Sequence, residues 1–133
     1  MNFTICYFSK SQEGLSNEEA EHIFAKAYTK NTLLGIKGVL LYMMGDFFQV
    51  LEGSEKAVKK VFETIKLDAR HHTVFEIINK ETKQPVFKDY SLDFNIVRTD
   101  AQIKEIKEYL RGLNHNTTAE KLDRLLKPFF LLA

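Results

Sequence analysis

The fold is decided by residues 38–51, which read Gly-Val-Leu-Leu-Tyr-Met-Met-Gly-Asp-Phe-Phe-Gln-Val-Leu. Two runs of apolar, β-prone residues, 38–42 and 47–51, are separated by the short segment Met-Met-Gly-Asp. A short connection that contains glycine, placed between two such runs, is typical of a tight turn. The stretch therefore predicts an antiparallel β-hairpin.

A helix is predicted on each side of this hairpin. Before it, Ser16 and Glu19 have the spacing of a capping box, and a helix is expected over about 17–30. After it, Ser54 is a suitable N-cap for a helix over about 55–68. Apolar residues recur along both segments at the helical period and are predicted to face the core: Ala20, Ile23, Phe24, Ala27 and Tyr28, then Val58, Val61, Phe62 and Ile65.

Three further segments are predicted to complete the sheet. Residues 2–9 alternate apolar and β-prone positions, and 73–81 and 86–96 are two more strands that Pro85 separates. The order is thus βαββαβ with one extra strand. It predicts an α+β fold of the ferredoxin-like type, in which both helices lie on one face of the sheet.

The tail, residues 98–133, predicts two C-terminal helices, because Thr99 with Gln102 and Thr117 with Glu120 repeat the capping-box spacing. Its apolar positions need a surface to cover: Ile103, Ile106, Leu110, Leu113, Leu122, Leu125, Leu126, Phe129 and Phe130. The sheet face that carries Phe8, Phe48 and Val50 would otherwise be bare. We therefore expect the tail to pack on that face or to build an oligomer interface.

Composition excludes several classes of protein. The chain has 133 residues and a formal net charge of +1, which fits one domain without a separate effector and argues against an electrostatic nucleic-acid binder. One cysteine, Cys6, excludes an internal disulfide framework. No apolar run approaches the roughly 18 residues of a membrane span, and no signal peptide begins the chain, so a cytoplasmic protein is expected.

Three polar residues deviate from the pattern. Both faces of the third strand are apolar at its centre, so the Gln49 amide is expected to be buried. It is either a core glutamine that the backbone satisfies or an amide placed for a buried polar ligand. Tyr7 lies in the middle of its strand and is either an ordinary core tyrosine or part of a site. Asn31 follows the first helix, where it is expected to act as a C-terminal cap.

The segment 68–72, Asp-Ala-Arg-His-His, is a polar connection between helix and strand. Neighbouring histidines on a strand point to opposite faces and no further ligand recurs at a suitable spacing, so no metal site is predicted. The segment is either a solvated turn or a contact for an anion or a sugar. Because no phosphate-binding loop or nucleophile triad is present either, an enzyme is not predicted.

Four stretches have a distinctive spacing along the chain. They read YFS at 7–9, GIKGVLLY at 35–42 with Asn31 shortly before it, GDFFQVLEG at 45–53, and DARH at 68–71. Together they resemble the BLUF family, the blue-light sensors that use FAD. The resemblance covers about residues 1–97, and it implies a photosensor domain there with residues 98–133 as a helical extension.

The resemblance also implies a role for individual residues. FAD would lie between the two helices, with Tyr7 as the redox-active tyrosine and Gln49 as the switching glutamine. Asn31 would bond the polar edge of the flavin, Ile23 and Ile65 would sandwich its ring, and Arg70 and His71 would lie near its ribityl and phosphate end. Signals would pass through the sheet and the tail to a separate response protein, and a homo-oligomer is expected.

The chain departs from the family pattern at two positions. Tyr90 and Leu92 stand where the family often has tryptophan and methionine on the fifth strand, and they are assigned here as signal-relay residues that share a face with Phe94. Tyr90 is also a second phenol expected near the site. These departures leave open a photochemically impaired ferredoxin-like interaction module, and a small acyl-phosphate hydrolase is disfavoured because 9–13 lacks an arginine and a glycine.

Overall fold

The computed structural model describes residues 2–132, with side chains described from 2 to 129. The elements follow in the predicted order: β1 (Asn2–Ser11), α1 (Asn17–Leu33), β2 (Lys37–Met43), β3 (Asp46–Gly53), α2 (Glu55–Lys66), β4 (His71–Thr82), β5 (Asn95–Val97), α3 (Asp100–Arg111) and α4 (Thr117–Leu132). The predicted α+β, ferredoxin-like class is confirmed.

The five strands form one mixed sheet in the order β4-β1-β3-β2-β5. Strand β3 lies between β1 and β2 and is antiparallel to both, whereas β5 runs parallel to β2. The predicted hairpin joins β2 to β3, and its turn places Met44 at φ 54° and Gly45 at φ 82°. Two consecutive positive φ angles characterise the hairpin turn whose twist matches that of the strands.

Each face of the sheet carries its own apolar core. The cleft face, which carries Tyr7 and Gln49, packs against α1 and α2. The tail face, which carries Phe8, Phe48 and Val50, is covered by α3 and α4. Here Phe129 stacks on Phe8 with 5.9 Å between ring centroids. Buried residues of the tail join this second core: Ile103, Ile106, Leu110, Leu122, Leu126 and Phe129.

Most of the predicted tail residues thus cover the sheet within one chain. Leu113 and Leu125 pack against the same core while partly exposed, and the side chain of Phe130 lies outside the described residues. The division of the chain at residue 97 stays a prediction.

The fifth strand was predicted over 86–96, and most of that prediction is wrong. Only Asn95–Val97 pairs with β2, and residues 83–94 form an irregular connection that we call the 83–94 loop. Side chains replace the missing ladder, because Glu52 accepts from the backbone N–H groups of Val86 and Phe87. Apolar content alone cannot distinguish a strand from a loop that is tied down in this way.

Two smaller expectations are also corrected. Tyr28 was predicted to face the core, but it is 41% exposed and its hydroxyl donates to Asp93. The capping box at Thr117 is replaced by a cap one residue earlier, where Asn116 Oδ1 accepts from the backbone N–H of Ala119. The capping boxes at Ser16 and Thr99 are confirmed.

Replacing Gly38 with alanine is expected to lower the free energy of unfolding by about 3 kcal/mol. Gly38 has a φ of 134°, and an added Cβ would lie 1.9 Å from the backbone oxygen of Val50 on the neighbouring strand. Urea denaturation followed by circular dichroism measures the loss.

Gly14→Ala is the matched control for this substitution. Gly14 also has a positive φ, 79°, but a Cβ there would meet nothing within 4 Å. Only backbone strain of about 1 kcal/mol is then expected. Equal losses in the two variants would show that the approach of Val50 does not restrict residue 38.

Candidate functional site

A cleft opens on the cleft face of the sheet between α1 and α2. Its floor is formed by strands β1, β2 and β3, and its far end is closed by the connection from α2 to β4. The space between its walls, including the part open to solvent, is about 680 Å³, which is within the range of small-molecule sites. The lining residues are Tyr7, Ile23, Lys26, Ala27, Lys30, Asn31, Leu40, Phe47, Gln49, Val61, Thr64, Ile65, Asp68, Arg70 and His71.

Tyr7 and Gln49 form a buried pair on the floor of this cleft. They are direct neighbours in the antiparallel register of β1 and β3, so both side chains point to the same face. The Tyr7 hydroxyl donates to Gln49 Oε1 at 2.5 Å, and the two residues are 3% and 2% exposed. The Gln49 carbonyl is therefore satisfied by a side chain rather than by the backbone.

The environment of Tyr7 keeps its phenol protonated. Burial raises the pKa of the Tyr7 phenol far above its ordinary value, and the nearby Cys6 thiol and Asp68 carboxylate add to the rise. The hydroxyl consequently remains a hydrogen-bond donor to Gln49 throughout the physiological pH range.

Asn31 is a buried residue with an unused acceptor. It was predicted to cap α1, but the helix continues to Leu33, and the Asn31 side chain lines the cleft with 1% of its surface exposed. Its Oδ1 atom has no hydrogen-bond partner among the described residues. A buried acceptor without a partner costs about 1–3 kcal/mol, so a hydrogen-bond donor on a molecule in the cleft would stabilise this arrangement.

The two helices give the cleft apolar walls. Ile23 on α1 and Ile65 on α2 both line it, and both are partly buried. Phe47 and Leu40 add apolar surface on the strands. Apolar walls on two facing helices, with polar atoms at the floor, suit a flat ring that has a polar edge.

Asp68 and Arg70 form an ion pair at the end of the cleft. Arg70 Nη2 lies 2.6 Å from Asp68 Oδ2, and Arg70 Nε also donates to the same carboxylate. The hydrogen bond from Arg70 lowers the pKa of the Asp68 carboxyl to about 2 despite partial burial. Arg70 is thereby held in place as a fixed positive charge beside the cleft.

His71 is held by both of its ring nitrogens. Nδ1 lies 2.8 Å from Ser9 Oγ, and Nε2 lies 2.5 Å from the carbonyl oxygen of Ile65. Because a carbonyl only accepts, Nε2 carries a proton. The ring also contacts Tyr7 edge-on, with 6.3 Å between centroids, so His71 connects the Tyr7–Gln49 pair to the wall of the cleft.

Sequence reasoning missed four polar residues of the site, Lys26, Lys30, Thr64 and Ser9. Lys26 and Lys30 line the cleft one helical turn apart, and their spacing from Ile23 could have shown that they share its side of α1. Ser9 is a polar residue that is 2% exposed on the face of β1 that carries Tyr7, and the two-residue alternation could have found it.

Tyr90 and Leu92 are not part of the cleft. Tyr90 packs on the tail side against Phe87 and Tyr109, with 4.7 Å between the Tyr90 and Tyr109 ring centroids. Leu92 is 91% exposed in the 83–94 loop, while Phe94 belongs to the core of the cleft face. The expectation that Tyr90 lies near the site and shares a face with Phe94 is therefore wrong.

The described part of the chain has neither a cluster of metal ligands nor a membrane-spanning helix. Among residues 2–129, no group of three or more histidine, cysteine, aspartate or glutamate side chains could hold a metal ion. No helix within the described residues has the length and apolar content needed to cross a membrane.

Comparison with known proteins agrees with the geometry of the cleft. The family model BLUF, described as sensors of blue light using FAD, matches residues 3–93. The blue light- and temperature-regulated antirepressor BluF of Escherichia coli (strain K12) is 31% identical over 75 residues, which are 56% of this chain and 19% of that protein. Subunit beta of the photoactivated adenylate cyclase of Euglena longa is 34% identical over 74 residues, or 56% of this chain and 9% of the relative.

Solved structures extend the likeness over nearly the whole chain. The structure of the BlrP1 BLUF domain has a TM-score of 0.76 and 29% identity, covering 98% of this chain and 90% of its own. Klebsiella pneumoniae BlrP1 with FMN and cyclic diGMP has a TM-score of 0.74 and 28% identity, covering 98% of this chain and 35% of that one.

The chain thus spans about a fifth or less of the length of these two curated relatives. The family match, in contrast, covers well over half of the chain, and the fold agrees with it along its length. The chain belongs to the BLUF family of blue-light sensors, whose domains bind flavin.

Proposed function

We propose that this chain is a blue-light photoreceptor that binds FAD in the cleft between α1 and α2 and uses the Tyr7–Gln49 pair as its switch. The observation that carries the proposal is the buried hydrogen bond from Tyr7 to Gln49 on the floor of a cleft with apolar walls. The family membership supplies the cofactor, and the residues of the cleft fit it.

The fit rests on several side chains of the cleft. The unpartnered Oδ1 of Asn31 would accept a hydrogen bond from the polar edge of the ring, and Ile23 and Ile65 would pack on its two faces. Since Tyr7 occupies the Gln49 carbonyl, the amide NH₂ is the donor that Gln49 offers to the ligand. Arg70 and His71 would lie toward the ribityl and phosphate end.

The chemistry that a bound flavin supplies is the absorption of blue light and the oxidising power of its excited state. Tyr7 is the residue from which an electron and a proton leave. The electron would go to the excited flavin, and the proton would be relayed through Gln49: Oε1, at the other end of the short hydrogen bond, would take it from the phenol while the amide nitrogen gives one up toward the cleft. Once the electron and proton have returned to Tyr7, the Gln49 amide holds a different set of hydrogen bonds.

Two arrangements of a buried amide can both be populated only if each satisfies its polar atoms about equally well. The Tyr7 hydroxyl can donate to the Gln49 oxygen or accept from its amide NH₂, so either arrangement would keep a partner at the floor of the cleft. A changed arrangement at Gln49 would alter β3, on which it lies, and would be passed to the tail helices and to a separate response protein.

The test of the function is the absorption spectrum of the purified protein before and after blue light. We expect a flavin spectrum that shifts to longer wavelength on illumination and recovers in the dark. Colourless protein would overturn the proposal. Yellow protein without the shift would do so as well, and would favour the photochemically impaired interaction module.

We also propose that the protein acts as a homo-oligomer. The tail residues that first suggested this cover the sheet within the chain, so another surface would have to serve, and the exposed side chains of Phe75 and Leu92 are available. Light scattering at micromolar concentration checks the proposal. A monomer that illumination leaves unchanged would contradict it.

A further inference from the structure

Glu52 is a buried carboxylate on the same strand as Gln49. It lies three residues further along β3, about 10 Å away, and points to the opposite face of the sheet. It is 3% exposed, and its two oxygens accept from the backbone N–H groups of Val86 and Phe87 at 2.7 and 2.9 Å. Burial raises the pKa of the Glu52 carboxyl, and these two bonds oppose the rise.

Lys37 complements Glu52 in holding the 83–94 loop. The two residues are neighbours in the register of β2 and β3. The Lys37 ammonium donates to the carbonyl oxygens of Lys88 and Ser91 at 2.9 and 3.2 Å. One carboxylate thus accepts from the N–H groups of the loop and one ammonium donates to its carbonyls, which replaces the ladder that a strand would have provided.

The loop is bound on its other side by the first tail helix. The Tyr109 hydroxyl, on α3, donates to the carbonyl oxygen of Val86 at 2.6 Å. The Tyr109 ring also packs against Phe87 and Tyr90. The Val86 N–H group is therefore bonded to a side chain of β3, and the Val86 carbonyl is bonded to a side chain of α3. The strand and the helix are thus both attached to the same residue of the loop.

We propose that Glu52 is a positioning residue that joins β3 to α3 through Val86, so that a change at Gln49 reaches the tail helices by this route. The light-dependent part of the proposal rests on the proposed function. The connection from Glu52 through Val86 to Tyr109, which we call the joint, does not rest on it, because its contacts exist without any ligand. A hydrogen bond from a backbone N–H group to a charged acceptor is strong. A displacement of β3 should therefore move α3 as well, instead of only stretching the bonds at Val86.

Amide hydrogen exchange of Glu52→Gln, measured by NMR with and without blue light, tests the joint. The amide side chain can accept only one of the two N–H bonds. In the dark, we expect the exchange of at least one of the Val86 and Phe87 amides to accelerate about tenfold or more. The spectral shift should remain, because Glu52 does not line the cleft. The light-induced change in the exchange of α3 and α4 that we expect in the unaltered protein should be lost.

Tyr109→Phe breaks the same connection from the helix side and leaves the buried carboxylate in place. It should also keep the spectral shift and lose the light response of the tail. Glu81→Gln makes the same chemical change at an exposed position of β4 and should behave as the unaltered protein does.

Three outcomes would contradict the proposed role of Glu52. The first is an unchanged dark exchange of residues 86 and 87 in Glu52→Gln. The others are tail helices that still respond to light in Tyr109→Phe, and tail helices that do not respond to light in the unaltered protein. If Glu52→Gln does not fold, Tyr109→Phe still decides the question. If the spectral shift itself is missing, the proposed function fails, while the dark exchange still shows whether Glu52 holds the loop.

Discussion

Gln49→Leu should give a protein that is still yellow but no longer shifts its absorption to longer wavelength in blue light. Leucine fills a similar volume on the apolar floor of the cleft but has neither the donor nor the acceptor that the switch needs. The Tyr7 hydroxyl is then left buried without its partner, which costs about 1–3 kcal/mol of folding free energy. The difference spectrum after illumination measures the outcome.

The matched control is Gln84→Leu, which makes the same substitution at an exposed position of the 83–94 loop. It should retain both the flavin and the full spectral shift. A normal shift in Gln49→Leu would refute the assignment of Gln49 as the switch. Loss of the flavin in that variant would instead show that its amide is essential for binding.

Tyr7→Phe should likewise bind flavin and lose the light-induced shift. The substitution removes one oxygen atom, so the packing of the ring against Phe62 and His71 is preserved. What disappears is the phenol that donates to Gln49, and with it the source of the electron and the proton. We expect the shift to fall below detection in steady-state spectra.

Tyr90→Phe provides the control, because it removes a phenol of the same kind from the opposite side of the sheet. Tyr90 belongs to the tail-side core and does not line the cleft, so its loss should leave the shift intact. If Tyr90→Phe abolished the shift and Tyr7→Phe did not, the roles of the two tyrosines would be exchanged and the proposed mechanism would be wrong.

Local patterns along the chain were sufficient to predict the order of the elements and most of their bounds. The hairpin turn at Met44 and Gly45 and the capping box at Ser16 depend on residues that are close in sequence. For such features, the energetics of neighbouring residues outweigh tertiary effects. The pairing of Tyr7 with Gln49 could also be anticipated from the spacing of the family motif, although their contact could not be derived from either strand alone.

Features that depend on distant partners could not be predicted in this way. The 83–94 loop has the composition of a strand, but Glu52 and Lys37 satisfy its backbone groups and bind it to the sheet through side chains instead of through a β-ladder. Asn31 has the position of a helix cap, but α1 runs past it and turns its amide into the cleft. In the first case, side chains from other elements satisfy the backbone groups of the loop. In the second case, the continuation of the helix leaves the Asn31 Oδ1 atom buried without a partner in the described part of the chain.

The sequence alone determined the α+β architecture, the two-helix tail and the identity of the polar residues on the third strand, because periodicity and caps act over a few residues. Only the tertiary structure decided that Tyr90 lies across the sheet from Tyr7, that the tail covers the second face, and that Glu52 ties the strand of Gln49 to α3. These features depend on which surfaces meet when the helices pack on the two faces of the sheet, and burial of apolar area over the whole chain sets that arrangement.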